Sequence, residues 1–309
     1  MKKSKKIHFI SLGEDVLCDL AIGLKKSGDT ITGSDDAFTD IPKSKLQKND
    51  LLPDPSGWFR EKINKSLNAV IVGSNTSLDN IELLQAQELQ IPVYSVPDYI
   101  FQRSIDKQRL VVTGTRGKNI ITLLIIHVLT YYKRKLDYFV STPPTGKDSL
   151  ISLSDAPLIV IEGQEVKSSV MDSTLGFLKY HHHIGVISDI EWIPMENAPS
   201  REEYIKQFGR FETSLPKSGI LLYNEKDAVV TSLLTLHHPD VLYVPYAAHA
   251  SIRENGMEYL VTDKEHLPLK IIGTNALLNM NAAKETLKKI GITSSMFYQA
   301  IRSFQVTGR

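Results

Sequence analysis

The sequence predicts an α/β protein made of two units, each built on a parallel sheet. Three observations lead there. Short apolar runs of strand length alternate with longer segments of helical periodicity along most of the chain. A glycine-rich turn joins one such run to an apolar helix at Val111-Val-Thr-Gly-Thr-Arg-Gly-Lys-Asn-Ile-Ile-Thr122. The strand-turn-helix pattern then starts afresh at Leu110, after a polar connector from Phe101 to Lys107.

Taken in order, Ile7 to Leu12 reads as a strand and Leu17 to Lys26 as a helix. Thr30 to Thr32 is a second strand, ending in Gly33-Ser-Asp-Asp36. Ala69 to Val72 is a third, and Pro92 to Ser95 a fourth. Between these two lies a helix from Asp79 to Leu89, with Ile81, Leu84 and Leu89 among its apolar positions. These elements make a first domain, residues 1–107. The second, residues 108–309, carries the helix Ile120 to Leu129 and strands at Leu158–Ile161, Ile184–Ile187, Ile220–Leu222 and Val241–Val244. Helices follow at Arg201–Leu215, Ala276–Ile290 and Met296–Phe304.

A chain of 309 residues is long enough for two such cores. Its formal net charge of +1 gives no reason to expect nucleic acid or an anionic membrane as partner. The basic start Met1–Lys6 is followed by an apolar run only from Ile7 to Leu12, interrupted by Glu14 and Asp15, which is too short for an export signal. Ile120 to Leu129 is too short to span a bilayer. A single cysteine, Cys18, excludes an intrachain disulfide framework. A cytoplasmic protein is expected.

The turn from Gly114 to Lys118 is where chemistry concentrates. Glycines let backbone N–H groups close around phosphate, and a helix start favours the anion. Lys118 would reach the terminal phosphates, with Gly114, Thr115, Arg116 and Gly117 forming the cradle. A phosphate loop places Ser or Thr after the lysine to hold Mg²⁺, and this chain has Asn119. Glu162 ends the strand Leu158–Ile161, a common place for a carboxylate that holds Mg²⁺, although an acid at a strand end is ordinarily just solvated. The first strand's turn keeps only Gly13, and Glu14 and Asp15 would repel phosphate there. The turn Gly33-Ser34-Asp35 suits a ribose or sugar hydroxyl as well as it suits a plain capped turn. His181-His182-His183 reads as a polar strand entry, because neighbours on a strand face opposite ways and do not chelate one ion.

Together these pieces resemble the Mur ligase family, nearest to the members that join L-alanine or a recycled peptide to UDP-N-acetylmuramate. Four blocks carry the resemblance: Ile7-His-Phe with Ile31-Thr-Gly-Ser-Asp35; Val70-Ile-Val-Gly-Ser-Asn75 with Asp79–Leu84 and Ile91–Ser95; Thr113-Gly-Thr-Arg-Gly-Lys118; and Gly273-Thr-Asn-Ala-Leu-Leu-Asn279 with Ala282-Ala283. The resemblance implies a Rossmann-like UDP-sugar domain followed by a P-loop-type ATP-binding central domain. It implies ATP and Mg²⁺ as cofactors and a UDP-N-acetylmuramate-type sugar nucleotide as partner. Gly13, Ser34, Asp35 and Ser74 would then face the sugar nucleotide, Asn275 and Asn279 the ATP, and Asn119 and Glu162 the metal, with Lys118 and Glu162 catalytic.

Departures accompany every motif. The first turn reads Ser11-Leu-Gly-Glu-Asp15, the hydroxyl after the lysine is Asn119, and the acidic strand end reads Glu162-Gly-Gln-Glu165 with one acid lost. The segment Asp189-Ile-Glu-Trp-Ile-Pro194 lacks the family's histidine, and the family's His-Asn pair reads Asn275-Ala276. The resemblance also places the start of a linker at Gly308-Arg309, so a C-terminal ligase domain is expected to be absent. The expectation is a Mur ligase-like protein, inactive as this isolated chain. The alternative is a non-catalytic module that binds a UDP-sugar or a protein. A dinucleotide oxidoreductase is argued against by the missing glycine fingerprint.

Overall fold

A computed structural model describes residues 4–192, 194, 200–234, 238–254, 256–268 and 275–305. The chain forms two compact units. Unit 1 takes residues 1–106, 149–155 and 165–180, and unit 2 takes 107–148, 156–164 and 181–309. The division expected after residue 107 was linear, and the two later excursions into unit 1 depart from it.

Unit 1 opens with β1 (Lys6–Ile10), α1 (Asp15–Lys26), β2 (Thr30–Ser34) and α2 (Asp40–Lys48). It continues with β3 (Ala69–Val72), α3 (Ile81–Glu88), β4 (Val93–Ser95) and α4 (Val96–Gln102). The strands form a parallel sheet in the order β2-β1-β3-β4. The chain leaves β1 towards one edge and later returns on its other side. A crevice therefore opens beyond the carboxyl ends of β1 and β3, where α/β sheets bind ligands. The helix expected from Asp79 starts instead at Ile81, because Asn80 caps it by accepting from Glu82 N (2.9 Å) and Leu83 N (3.1 Å). The connector expected from Phe101 overlaps α4, which Ser95 caps and Pro97 helps to start.

A buried polar pair braces this unit. His8 of β1 and Glu82 of α3 are both fully buried, with Nε2 and Oε2 3.1 Å apart. Glu82 also accepts from Phe59 N at 2.8 Å, which ties down the segment carrying Trp58. Burial alone would raise the Glu82 carboxyl. Hydrogen bonds from His8 and Phe59 N–H outweigh it and hold the group below the usual glutamate value.

Unit 2 begins with β5 (Gln108–Thr113), α5 (Lys118–Tyr131) and β6 (Asp137–Phe139). After β7 (Ile151–Ser152), which groups with unit 1, comes β8 (Leu158–Glu162). The antiparallel pair β9 (Lys167–Ser169) and β10 (Asp172–Leu175) again belongs to unit 1. Then follow β11 (Ile184–Ile187), α6 (Arg201–Thr213), β12 (Ile220–Asn224), α7 (Ala228–Leu233) and β13 (Leu242–Tyr246). Parallel pairing runs β13-β12-β11-β5-β8-β6. A small antiparallel sheet of β14 (Ser251–Glu254), β15 (Met257–Val261) and β16 (His266–Pro268) precedes α8 (Ala276–Lys288) and α9 (Ser294–Ile301).

The core of unit 2 forms around α5. Its Ile, Thr and Val residues are poor helix formers. Burial offsets that cost: Ile121 to Ile126, Val128 and Leu129 are all buried, so the helix is apolar nearly all round and sits inside the unit. Among the described residues no helix is long and apolar enough to cross a membrane.

Of the three histidines before β11, His181 is exposed and His183 half-buried, as a polar strand entry would have them, and only His182 departs from that reading. His182 is fully buried and stacks on Phe211 with ring centroids 3.7 Å apart, and neither ring nitrogen has a partner among the described residues. Burial, reinforced by the neighbouring positive groups, pushes its pKa from 6.5 down to about 3. The folded state therefore holds His182 neutral, and its stabilising share is complete above pH 6.5 and lost as pH falls from there towards about 3. A His182→Leu variant should lose less stability between pH 7 and pH 5 than the parent, read as the shift in urea midpoint. An equal shift in both proteins would contradict this.

Candidate functional site

Each unit carries one candidate site at the carboxyl end of its sheet. In unit 2, β5, β8 and β11 run side by side and bring three turns together. Pairing sets Val112 opposite Glu162 and Thr113 opposite Ile187. The loop Gly114–Gly117 leaves β5, Glu162 ends β8, and Ser188-Asp189 follows β11.

The loop needs its glycines. Gly114 has φ +125° and Gly117 φ +83°, both in the region that side chains rarely adopt. Space is closed as well: a Cβ on Gly114 would lie 2.1 Å from Ser188 Oγ, and one on Gly117 2.3 Å from Asn279 Oδ1. Gly117 is the N-cap residue of α5, and no side chain caps that helix. A helix start left without a side-chain cap is a natural seat for an anion. Lys118 Nζ donates to Gly114 O at 3.0 Å, so the ammonium lies back along the loop.

The other half of the loop is bound by the protein itself. Arg116 N donates to Asp189 Oδ1 at 2.7 Å, and Thr115 N to Asp189 O at 3.1 Å. Thr115 Oγ1 donates to Glu191 O (3.0 Å) and lies 2.9 Å from Tyr204 Oη, and the Arg116 guanidinium pairs with Glu191. Burial raises the Asp189 carboxyl, the Arg116 N–H opposes that, and the nearby Asp227 charge adds to it.

The residues expected to hold a metal hold one another. Asn119 Nδ2 donates to Glu162 Oε2 at 3.1 Å. Ser141, just beyond β6, donates to the same carboxylate from N at 2.9 Å and from Oγ at 2.8 Å. Glu162 is 2% exposed. A carboxylate with three donors on it, one of them the amide that replaced the loop hydroxyl, is not arranged to receive Mg²⁺, which requires oxygen ligands in octahedral order. Among the described residues no group of three or more His, Cys, Asp and Glu could hold a metal ion. Ser141 was not legible in the sequence, since only the order of β6 and β8 in the sheet brings it to Glu162.

Of the two asparagines expected near ATP, Asn279 does stand against Gly117. Asn275 lies one turn earlier at the N-cap position of α8, with its side chain not capping that helix. Gly273 and Thr274 fall outside the described residues, as does Ile193 beside the expected histidine position.

In unit 1 the crevice holds a cavity of about 610 Å³. Gly13 and Asp35 line it as expected. Ser34 does not: it is fully buried, and its Oγ accepts from Lys62 Nζ at 3.1 Å. Ser74 also stays out of the lining, because its N–H and hydroxyl both turn to Glu14 Oε2 at 3.2 Å. Sequence reading missed Trp58, Asp79 and Asn80, which line the cavity too.

The two sites define an α/β protein with a nucleotide-type loop in unit 2 and a ligand crevice in unit 1. No family model matches the chain. Among curated proteins, the UDP-N-acetylmuramate–L-alanine ligase of Blochmanniella floridana is 24% identical, covering 99% of this chain and 64% of the relative. The enzyme of the same name from Carboxydothermus hydrogenoformans is 25% identical, covering 100% of this chain and 68% of its own length. The chain thus spans about two thirds of the curated relatives it matches. Among solved structures, the UDP-N-acetylmuramate:L-alanyl-γ-D-glutamyl-meso-diaminopimelate ligase of Neisseria meningitidis superposes with a TM-score of 0.86 at 17% identity, covering 99% of this chain and 100% of that one. The alanine ligase MurC of Thermotoga maritima gives 0.73 at 18% identity, covering 97% of this chain and 68% of that one. In sequence and in fold the chain is a relative of the Mur ligases.

The loop geometry is directly testable. Gly117→Ala places a methyl on Asn279 at a positive φ, and should lower stability by ~1–3 kcal/mol, read as a fall in the urea midpoint. A midpoint equal to the parent's would show that the loop is looser than described.

Proposed function

We propose that this chain keeps the Mur ligase fold for binding rather than for ligation. The observation that carries the reading is the closed cluster of Asn119, Ser141 and Glu162. The relatives' names describe joining L-alanine or a peptide to UDP-N-acetylmuramate. Forming an acyl phosphate from ATP depends on a cation that neutralises the transferring phosphoryl group. Here the carboxylate best placed for that cation is spent on an amide and a serine.

The phosphate side is better supported. Lys118 and the start of α5 fit a phosphate group, and Asn279 buttresses the loop on Gly117. An ATP phosphate would meet these residues after displacing the Asp189 carboxylate from Arg116 N–H. Retention of the loop and its lysine is what favours the rival reading, an ATP-dependent ligase acting on a UDP-N-acetylmuramate-type substrate.

Incubation with ATP, Mg²⁺, UDP-N-acetylmuramate and L-alanine or a tripeptide decides between them. The expected outcome is no ligated product above a Lys118→Ala control, whereas product above that control establishes the ligase. Separately, Asn119→Thr removes the amide from Glu162 and returns a hydroxyl to the loop. Calorimetric titration should then show ATP–Mg²⁺ affinity rising by about tenfold. Unchanged affinity would place the defect beyond this position.

A further inference from the structure

We propose that Asp189 is a built-in competitor for the phosphate seat of the unit 2 loop, an autoinhibitory contact that an incoming phosphate group must displace, which rests on the reading of that loop as a phosphate seat and adds what guards it. The carboxylate sits on one of the loop's own donors. Arg116 N–H lies between Gly114 and Gly117, in the turn that leads into α5. Asp189 Oδ1 accepts from it at 2.7 Å. A short bond from a backbone donor to a charged acceptor is among the stronger hydrogen bonds a chain makes. It is also the bond that a phosphate oxygen would make in such a turn.

The turn that carries Asp189 is laced to the loop by contacts that do not involve the carboxylate. Thr115 N donates to Asp189 O at 3.1 Å. Thr115 Oγ1 donates to Glu191 O at 3.0 Å and accepts from Glu191 N at 2.9 Å. Ser188 Oγ donates to Arg116 O at 2.5 Å. On the far side, Ile190 N donates to Asp227 Oδ2 at 3.1 Å, and Asp227 is itself fixed as the cap of α7. Gly114 permits the close approach, since a Cβ there would lie 2.8 Å from Asp189 O and 3.0 Å from Asp189 N. The backbone of the turn can therefore stay in place while the Asp189 side chain alone swings away.

The carboxylate is also poorly settled in this seat. Burial holds the Asp189 carboxyl above the usual aspartate value against the opposing Arg116 N–H, and the Asp227 charge adds to it. Release of the side chain into water relieves that cost. The Lys118 ammonium lies along the same loop, 3.0 Å from Gly114 O, and a phosphate that replaced the carboxylate would meet it.

The test is calorimetric titration of the intact chain with inorganic triphosphate, without added Mg²⁺. Asp189→Ala should bind the probe roughly tenfold or more tightly than the parent, because a tethered competitor has been removed. Asp189→Asn keeps the shape and removes the charge. It should gain in the same direction, and it stands in if the alanine variant does not fold. Adding Lys118→Ala to either variant should remove the binding, which places the gain at the loop. The gain should persist at about 0.5 M salt, where charges separated by solvent are screened. Binding by the parent that neither substitution tightens overturns the proposal and leaves the loop reading standing. So does a gain that survives Lys118→Ala or disappears in high salt. Failure of parent and variants alike to bind, with thermal melts showing each folded, overturns the loop reading and the proposal with it.

Discussion

The register of β5 between its two parallel neighbours governs the centre of unit 2. With Val112 opposite Glu162 and Thr113 opposite Ile187, three strands end at one level and their turns converge. The backbone continues the alignment past the strands: Gly163 N donates to Val112 O at 2.7 Å, and Ser188 N to Thr113 O at 3.0 Å. A slip of one residue would turn Glu162 to the opposite face of the sheet and separate it from Asn119. The apolar runs prevent that slip, because β5, β8 and β11 are buried almost throughout and a shifted register would expose or overpack them.

Both units hold a carboxylate on the N–H groups of their sheet-end turns. In unit 2 the Asp189 carboxylate sits on Arg116 N–H, and in unit 1 Asp35 and Glu14 sit on Gly13, Ser74 and Asn75 N–H. A carboxylate held on the same chain competes with an external phosphate at a high effective concentration. The competition is uneven between the units. Unit 2 has Lys118 and a helix start without a side-chain cap, which favour a phosphate, whereas among the described residues no cationic side chain lines the unit 1 cavity.

Much of this was legible in the residues. The apolar runs located every strand of the unit 1 sheet, and the glycine spacing located the loop that begins α5. Glu14 was already readable as hostile to phosphate, although not as the acceptor for Ser74 and Asn75. What escaped had physical reasons. Helix α2 is short and polar, with only Pro42 and Leu46 buried, so it shows almost no periodicity. Helix α4 follows a strand without a loop, and its signal lay in the Ser95 cap and Pro97 rather than in hydrophobicity. Ser141 and Asn80 act through distant partners or through a cavity wall, and local sequence carries no trace of that. His182 looked polar by its neighbours, and only the fold shows it stacked in the core.

The two excursions of the chain set an order of events during synthesis. Unit 1 is incomplete when residue 106 has been made, because it still lacks residues 149–155 and 165–180. Asp19 waits for Leu150 N, Ser95 for Ser168, and Asp98 for Lys179. Part of unit 2, with β5, α5 and β6, emerges from the ribosome between these segments. The amino-terminal unit therefore cannot close as a finished piece before its successor begins to appear. A fragment cut after residue 107 would carry the whole four-stranded sheet of unit 1 and still leave α1 and α4 without their later partners.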